Sequence, residues 1–207
     1  FGNPLTEAQV DRIRWHLFPE IRIPKVQLNL FEERDEDVER VMDLKQEQLA
    51  RSLGEGHRII HGVAGSGKTM ILGYRAEYLA KASQKPILVL CYNRALSRRL
   101  ARTNEEKKLP GQIHVRTFHQ WCHELLRLAR ISPPPNNGND AYFKEVVQRT
   151  LNSLEVQRIA GTRYGAILID EAHDFEPDWL AFIARMLDSR TNSLLVLYDD
   201  AQSIYAK

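Results

Sequence analysis

Gly62-Val63-Ala64-Gly65-Ser66-Gly67-Lys68-Thr69 combines glycines, a lysine and a hydroxyl in a G-x-x-x-x-G-K-[ST] pattern. That pattern suits polyphosphate. Glycine reaches backbone conformations closed to other residues, so successive N–H groups can turn toward phosphate oxygens. A helix opening directly after the loop adds favourable partial charge at its N-terminus. The backbone of Gly62, Ala64, Gly65, Ser66 and Gly67 would then cradle the phosphates. Lys68 would reach the outer ones, and the Thr69 hydroxyl would ligate Mg²⁺.

Three further clusters bear on the same chemistry. In Leu168-Ile169-Asp170-Glu171-Ala172-His173-Asp174 an apolar run ends in acids. Asp170, at the carboxyl end of a buried strand, can hold magnesium, and Glu171 can orient and deprotonate an attacking water. By itself such a run is equally a strand-ending turn; the phosphate loop upstream is what gives it meaning. Leu197-Tyr198-Asp199-Asp200-Ala201-Gln202-Ser203-Ile204-Tyr205 has the same build, and Gln202 could hydrogen-bond a γ-phosphate or its water. Thr117-Phe118-His119 lies at the edge of a basic run that includes Arg94, Arg98, Arg99, Arg102, Lys107, Lys108, Arg116, Arg127 and Arg130. Phe118 is open to two readings, core packing or a stacking turn on single-stranded nucleic acid. Cys91-Tyr92-Asn93-Arg94 could serve the same surface. The basic run itself is either a solvated face or a surface that meets polyphosphate.

Elements that could position these groups follow from the hydrophobic pattern. Strands are predicted over 58–63, 86–91, 113–115, 166–169 and 194–198. Helices are predicted over 6–17, 43–53, 68–82, 95–102, 118–130, 141–159 and 177–187. The acidic stretch from Glu32 to Glu47 leads into the second of these helices, which the Gly54-Glu55-Gly56 turn stops. Residues 132–140, rich in Pro and Asn, read as an exposed loop. Alternating strands and helices, with strands apolar throughout, predict a parallel sheet covered on both faces.

Composition sets outer limits. The chain has 207 residues, 43% hydrophobic and 27% charged, with a formal net charge of +2. Mean hydropathy is −0.42, and no apolar run approaches the ~20 residues that a membrane-spanning helix needs. Two cysteines, Cys91 and Cys122, are too few for a disulfide scaffold or a cysteine-rich zinc site, and suit a reduced, cytoplasmic environment. His114, His119 and His123 lack the partners of a zinc site, while Cys122, Trp15, Trp121 and Trp179 read as packing residues. Phe1 and Lys207 read as cut ends of a longer protein.

The order of a glutamine-bearing helix (Leu44-Lys45-Gln46-Glu47-Gln48), GVAGSGKT, LVLCYN, RTFHQW, LIDEAHD and YDDAQSIY resembles the amino-terminal RecA-like domain of UvrD/Rep-type superfamily 1 helicases. The segment from Leu5 to Ile23 resembles the connector of bacterial proteins that carry a nuclease-related NERD domain ahead of such a helicase. The resemblance implies a three-layer α/β P-loop NTPase (RecA-like) domain with a parallel sheet over residues 43–207. It also implies a small helical N-terminal extension over 1–42 and a reduced helical insert at about 130–162.

Cofactors implied are ATP and Mg²⁺. Gln46 or Gln48 would recognise adenine, and the spacing leaves both open. Lys68, Glu171 and Gln202 match the catalytic positions, Thr69 and Asp170 the metal ligands. Asn93, Thr117, Phe118, His119 and Tyr205 match positions that face single-stranded DNA in the family, with RNA left open as a partner. The activity implied is ATP-driven movement on single-stranded DNA. The alternatives are a DNA-sensing ATPase that gates an attached nuclease without unwinding, and a non-catalytic nucleic-acid-binding module. Three departures stand out: His173 replaces a usual glutamine, Tyr198 replaces a usual glycine, and the insert is short. The family's second RecA-like domain, with its arginine fingers, would follow Tyr205. Without it, the chain is expected to form half a site and to turn ATP over slowly.

Overall fold

The computed structural model describes residues 6, 20–23, 35–63, 65–92, 94–106, 113–135, 140–153, 156, 158 and 164–199. Six parallel strands form one sheet in the order β1-β2-β6-β5-β3-β4. They are β1 (Glu20–Ile23), β2 (His57–Gly62), β3 (Ile87–Cys91), β4 (Ile113–Thr117), β5 (Ala166–Ile169) and β6 (Ser193–Asp199). The helices are α1 (Asp35–Ser52), α2 (Lys68–Ala82), α3 (Arg94–Glu106), α4 (Phe118–Leu128), α5 (Asp140–Asn152) and α6 (Pro177–Arg185).

The central strands read as continuous apolar runs because both faces are covered. Side chains alternate across the sheet. Leu88 and Leu90 of β3, with Ile167 and Ile169 of β5, enter a core with Phe118, Trp121 and Leu125 of α4, Val146 of α5 and Phe182 and Ile183 of α6. Ile87, Val89, Ala166 and Leu168 face the other way, onto Ala50 of α1, Ile71, Leu72 and Ala76 of α2 and Leu100 of α3. Two cores flanking one sheet make the three-layer α/β architecture of a RecA-like domain.

Several boundaries differ from the sequence expectation, each for a local reason. Helix α1 begins at Asp35, ahead of the expected 43, and the acids Asp35, Glu36 and Asp37 occupy its first turn. Acids are favoured at a helix N-terminus by the backbone dipole, so a stretch that looked like a charged lead-in is the helix start. Helix α5 stops at Asn152, short of the expected 159. There the Ser153 hydroxyl accepts the Val156 N–H at 3.1 Å, the bond of a helix N-cap, and Val156 and Arg158 are again helical, so the expected helix is interrupted at Ser153. Residues 132–135 are only partly exposed, since Pro134 is buried.

Strand β1 was not foreseen. It falls in the segment expected to be a connector, yet it pairs with β2 from Glu20↔Ile59 to Ile23↔Gly62 and sends Ile21 and Ile23 onto the core. Its Glu-Ile-Arg-Ile alternation is the half-buried edge pattern, too short to stand out from sequence. The helix expected over 6–17 lies outside the described residues, apart from Thr6.

Cys122 and Trp121 are buried as expected, and the Trp121 Nε1–H donates to the Tyr164 hydroxyl at 3.2 Å. Burial pushes the thiols of Cys91 and Cys122 up to about 12, so both behave as small core residues. No described helix is long and apolar enough to cross a membrane.

Candidate nucleotide site and adjoining groove

The carboxyl ends of the strands converge on one edge of the sheet, where ligands bind in open α/β folds. Strand β2 ends at Gly62, and the loop turns into α2 through Gly67, whose φ of +84° is left-handed. A side chain at 67 would be strained there. It would also collide with the Gln46 side-chain amide, which lies against Gly67 from α1. Gln46 is buried whereas Gln48 is exposed. The alternatives that spacing left open are thus separated: Gln46 adjoins the phosphate loop and Gln48 does not.

Lys68 is buried. Its ammonium donates to the carbonyls of Gly62 at 2.6 Å and Val63 at 2.9 Å, and stands 3.9 Å from Asp199 Oδ2. Parallel pairing puts Asp199 of β6 directly beside Gly62 of β2. Asp199 was missed as a site residue. The available signal was an acid ending an apolar strand, the same signal that marked Asp170.

On β5, the Thr69 hydroxyl donates to Asp170 Oδ2 at 3.0 Å, joining residues 101 apart in the chain. Asp170 Oδ1 accepts the Glu171 N–H at 3.0 Å. Burial raises the Asp170 carboxyl above its ordinary value, against the hydrogen bond from Thr69, the Glu171 N–H and the charge of Lys68. Burial likewise raises Glu171, with the neighbouring Asp170 charge adding to it. Glu171 holds a left-handed φ of 52°, a conformation costing on the order of 1–3 kcal/mol outside glycine and concentrated at functional sites. His173 Nε2 lies 3.4 Å from Glu171 Oε2, occupying the place expected of a glutamine. Tyr198, which stands where a glycine was expected, stacks on His61 at 5.6 Å and 20°.

The site fits Mg-nucleotide on two counts. Thr69 and Asp170 present an all-oxygen donor pair of the kind a hard divalent cation takes. Among the described residues, Gln46 Oε1 beside the loop and Ser66 Oγ within it are buried polar atoms without a hydrogen-bond partner. Buried polar groups are nearly always paired, so these two are poised for a ligand.

Beside this site, at the ends of β3 and β4, lies a groove of about 990 Å³. Tyr92, Phe143 and Trp179 supply rings, and Arg94, Arg98 and Lys144 supply charge. His119 lies among the rings, 5.3 Å from Phe143 and 5.5 Å from Trp179. Burial, with the nearby Arg94, lowers its proton affinity. Tyr92 was expected on this surface and lines it, and Trp179, expected to pack, is buried yet also lines the groove. Phe143 and Lys144 were not singled out from sequence, since no spacing rule unites a post-strand tyrosine with residues on α5.

Two expected contact residues are corrected. Phe118 is fully buried and stacks on Trp179 at 4.4 Å and 15°; such a ring is core and has no free face for a base. The Thr117 side chain is a helix cap. Its hydroxyl accepts the Gln120 N–H at 3.3 Å while Gln120 Oε1 accepts the Thr117 N–H at 3.0 Å. Thr117-Phe118-His119-Gln120 is therefore a capping box, a signature legible in sequence but overlooked. Thr117 still lines the groove wall. Ala64, Asn93, Gln202 and Tyr205 lie outside the described residues.

The profile of the AAA domain family matches residues 45–207, a span that runs from α1 through the phosphate loop to beyond β6. The chain belongs to the AAA domain family. It is also similar to a probable DNA helicase II homologue of Mycoplasma pneumoniae, 30% identical over 89 residues, which are 40% of this chain and 12% of that protein. The chain thus matches only a small part of that relative's length. The family match and this similarity agree with the resemblance that the motif order carries. The match to a NERD-associated connector gains nothing from either comparison.

Proposed function

We propose that this domain binds Mg-ATP between the phosphate loop and β5, and couples its hydrolysis to movement on single-stranded DNA held in the adjoining groove. The observation that carries the reading is the meeting of Lys68, Thr69, Asp170 and Glu171 at one sheet edge, beside a groove of rings and arginines. Gly62, Gly65, Ser66 and Gly67 cradle the phosphates, Lys68 turns from the loop carbonyls to them, and Gln46 contacts adenine. Thr69 and Asp170 hold the metal, which supplies charge neutralisation on the phosphates. Glu171 takes a proton from the attacking water, and Gln202 reports the γ-phosphate.

A short physical path supports coupling between the two sites. Glu171 leads through the turn Ala172–Asp174 to Phe175, which meets Tyr92 at 6.5 Å and Trp179 at 6.1 Å. A shift at the water-activating residue therefore has packed neighbours in the groove. In the family a second RecA-like domain closes over the nucleotide and supplies arginine fingers worth about 10³–10⁵ in rate in related phosphoryl transfer. One sheet alone is expected to bind nucleotide and turn it over slowly.

The short α5 favours a second reading, a DNA-sensing ATPase that gates an attached nuclease without separating strands. Unwinding of a tailed duplex by the full-length protein would decide between the two.

The test is nucleotide binding and turnover with Mg²⁺, with and without single-stranded DNA, beside Lys68→Ala. Expected are Mg-ATP binding that the variant loses and slow turnover. Nucleotide binding left intact by Lys68→Ala overturns the proposal; DNA binding that is independent of ATP and untouched by Lys68→Ala in every assay favours a non-catalytic nucleic-acid-binding module.

A further inference from the structure

Helix α4 carries a polar stripe that the proposed chemistry does not use. His119, His123 and Arg127 recur at every fourth residue, which sets them on one helix face, and Arg130 follows just past the helix end. The stripe starts inside the groove, where His119 and His123 form part of the wall. It runs on into a second recess of about 280 Å³ lined by His123, Arg127, Arg130 and Pro133. His123 lines both, so the recess adjoins the groove along α4. From His119 to Arg130 the axial span is about 16 Å, room for several phosphates of an extended strand.

The charges along this stripe are available. Arg127 and Arg130 are exposed and have no ion pair or side-chain hydrogen bond among the described residues. The neighbouring acid, Glu124, is already taken by Arg116 at 2.6 Å. The His123 ring is fixed by the Tyr142 hydroxyl at 2.6 Å. The floor is firm as well: the Ile131 N–H donates to the Leu126 carbonyl at 2.9 Å, and Arg149 donates to the Ser132 carbonyl at 3.1 Å.

Arg130 is the telling residue. It holds a φ of 56° at the position after the helix C-terminus, beneath the Ile131-to-Leu126 bond. That position belongs by preference to glycine. A long, exposed cation stands there in its place, and its side chain has no ion pair or side-chain hydrogen bond among the described residues.

We propose that the α4 stripe is a second nucleic-acid contact surface, which holds the sugar–phosphate backbone of a single strand where it leaves the groove. This rests on the reading of the groove as a single-strand site and extends it outward by the length of α4. The partner chemistry is a polyanion with phosphates in series. A strand confined to the groove does not reach Arg127 or Arg130, whereas a longer one does.

The test compares single-stranded oligonucleotides of about 4 and about 12 nucleotides on the wild-type chain, on Arg127→Gln and on Arg130→Gly. Arg130→Gly removes the charge and suits the left-handed backbone, so its thermal stability should rise while its long-strand affinity falls. A structural role cannot give that pair of results. Expected for each variant is unchanged affinity for the short strand and a loss of several-fold for the long one. The slope of log affinity against log salt should fall by about 0.7 for each phosphate contact removed. Equal long-strand affinity in wild type and both variants overturns the proposal, as does a wild-type affinity that does not grow with length. Those results leave short-strand binding intact, so they differ from failure of the groove reading itself, in which wild type binds neither strand.

Discussion

The side-chain amide of Gln46 fills the space where a side chain on Gly67 would project, so α1 packs directly against the phosphate loop. The contact is reinforced behind it. Arg75 of α2 is buried and donates to the carbonyls of Ala50 and Gly54 at the end of α1, a cation at a helix C-terminus where the backbone dipole favours it. Gln46 is thereby carried on a rigid helix pair.

Gln46→Ala should weaken ATP binding about tenfold, the worth of one hydrogen bond, and narrow the preference for ATP over GTP. Gln48→Ala should change neither. Titration of both nucleotides against both variants checks this, and a larger effect from the exposed Gln48 would reverse the assignment.

Glu171→Gln should lower single-turnover hydrolysis about 10²–10⁴-fold, the usual contribution of a general base, while leaving ATP affinity near that of wild type. The base works ionised, and burial together with Asp170 raises its pKa above the ordinary 4.5. The acid limb of the wild-type pH–rate profile should therefore lie above that of an exposed glutamate. A profile flat down to the ordinary value would remove Glu171 from this role.

Phe118 and Tyr92 should separate fold from contact. Phe118→Ala opens the core beneath Trp179 and should cost about 3–5 kcal/mol of stability, read by denaturant melts. Tyr92→Ala, at a ring that is 44% exposed, should leave stability within about 0.5 kcal/mol. It should weaken single-strand binding by about 1–3 kcal/mol, the range for loss of one stacked base. Equal loss of stability in both variants would count against Tyr92 as a stacking platform.

Asp188 should give the fold a pH dependence unrelated to the site. Hydrogen bonds from Lys85, whose ammonium is 2.5 Å away, and from the Arg190 N–H lower its carboxyl from 3.8 to about 2. A depressed carboxyl stabilises above its unfolded value and loses that stabilisation as pH falls through the folded one. Asp188→Asn should thus be less stable than wild type from neutral pH down to about 4, with the gap closing as pH falls toward about 2. Urea midpoints at successive pH values measure it; a gap that widens in acid would contradict the assignment.

Local chemistry was legible wherever a function needs a short run of residues in fixed order. The phosphate loop, the acids ending β5 and the buried strands fall at or within a residue or two of the expected positions, because backbone conformation and strand burial leave marks at spacings of a few residues. Helix α1 starts earlier than its periodicity marks because the acids from Asp35 on carry charge but little apolar spacing. Strand β1 was missed because a four-residue edge strand becomes visible only once β2 is there to pair with it.

Sequence alone determined the phosphate-loop pattern, the parallel three-layer plan and the presence of a basic stretch, each encoded in residues near one another along the chain. Tertiary structure set Gln46, and not Gln48, against the phosphate loop and withdrew Phe118 into the core. It set Asp199 beside Gly62 and assembled Tyr92, Phe143 and Trp179 into one groove. These outcomes depend on strand order and helix packing, which join residues far apart in sequence. No spacing rule can report a contact whose two halves meet only after the sheet has formed.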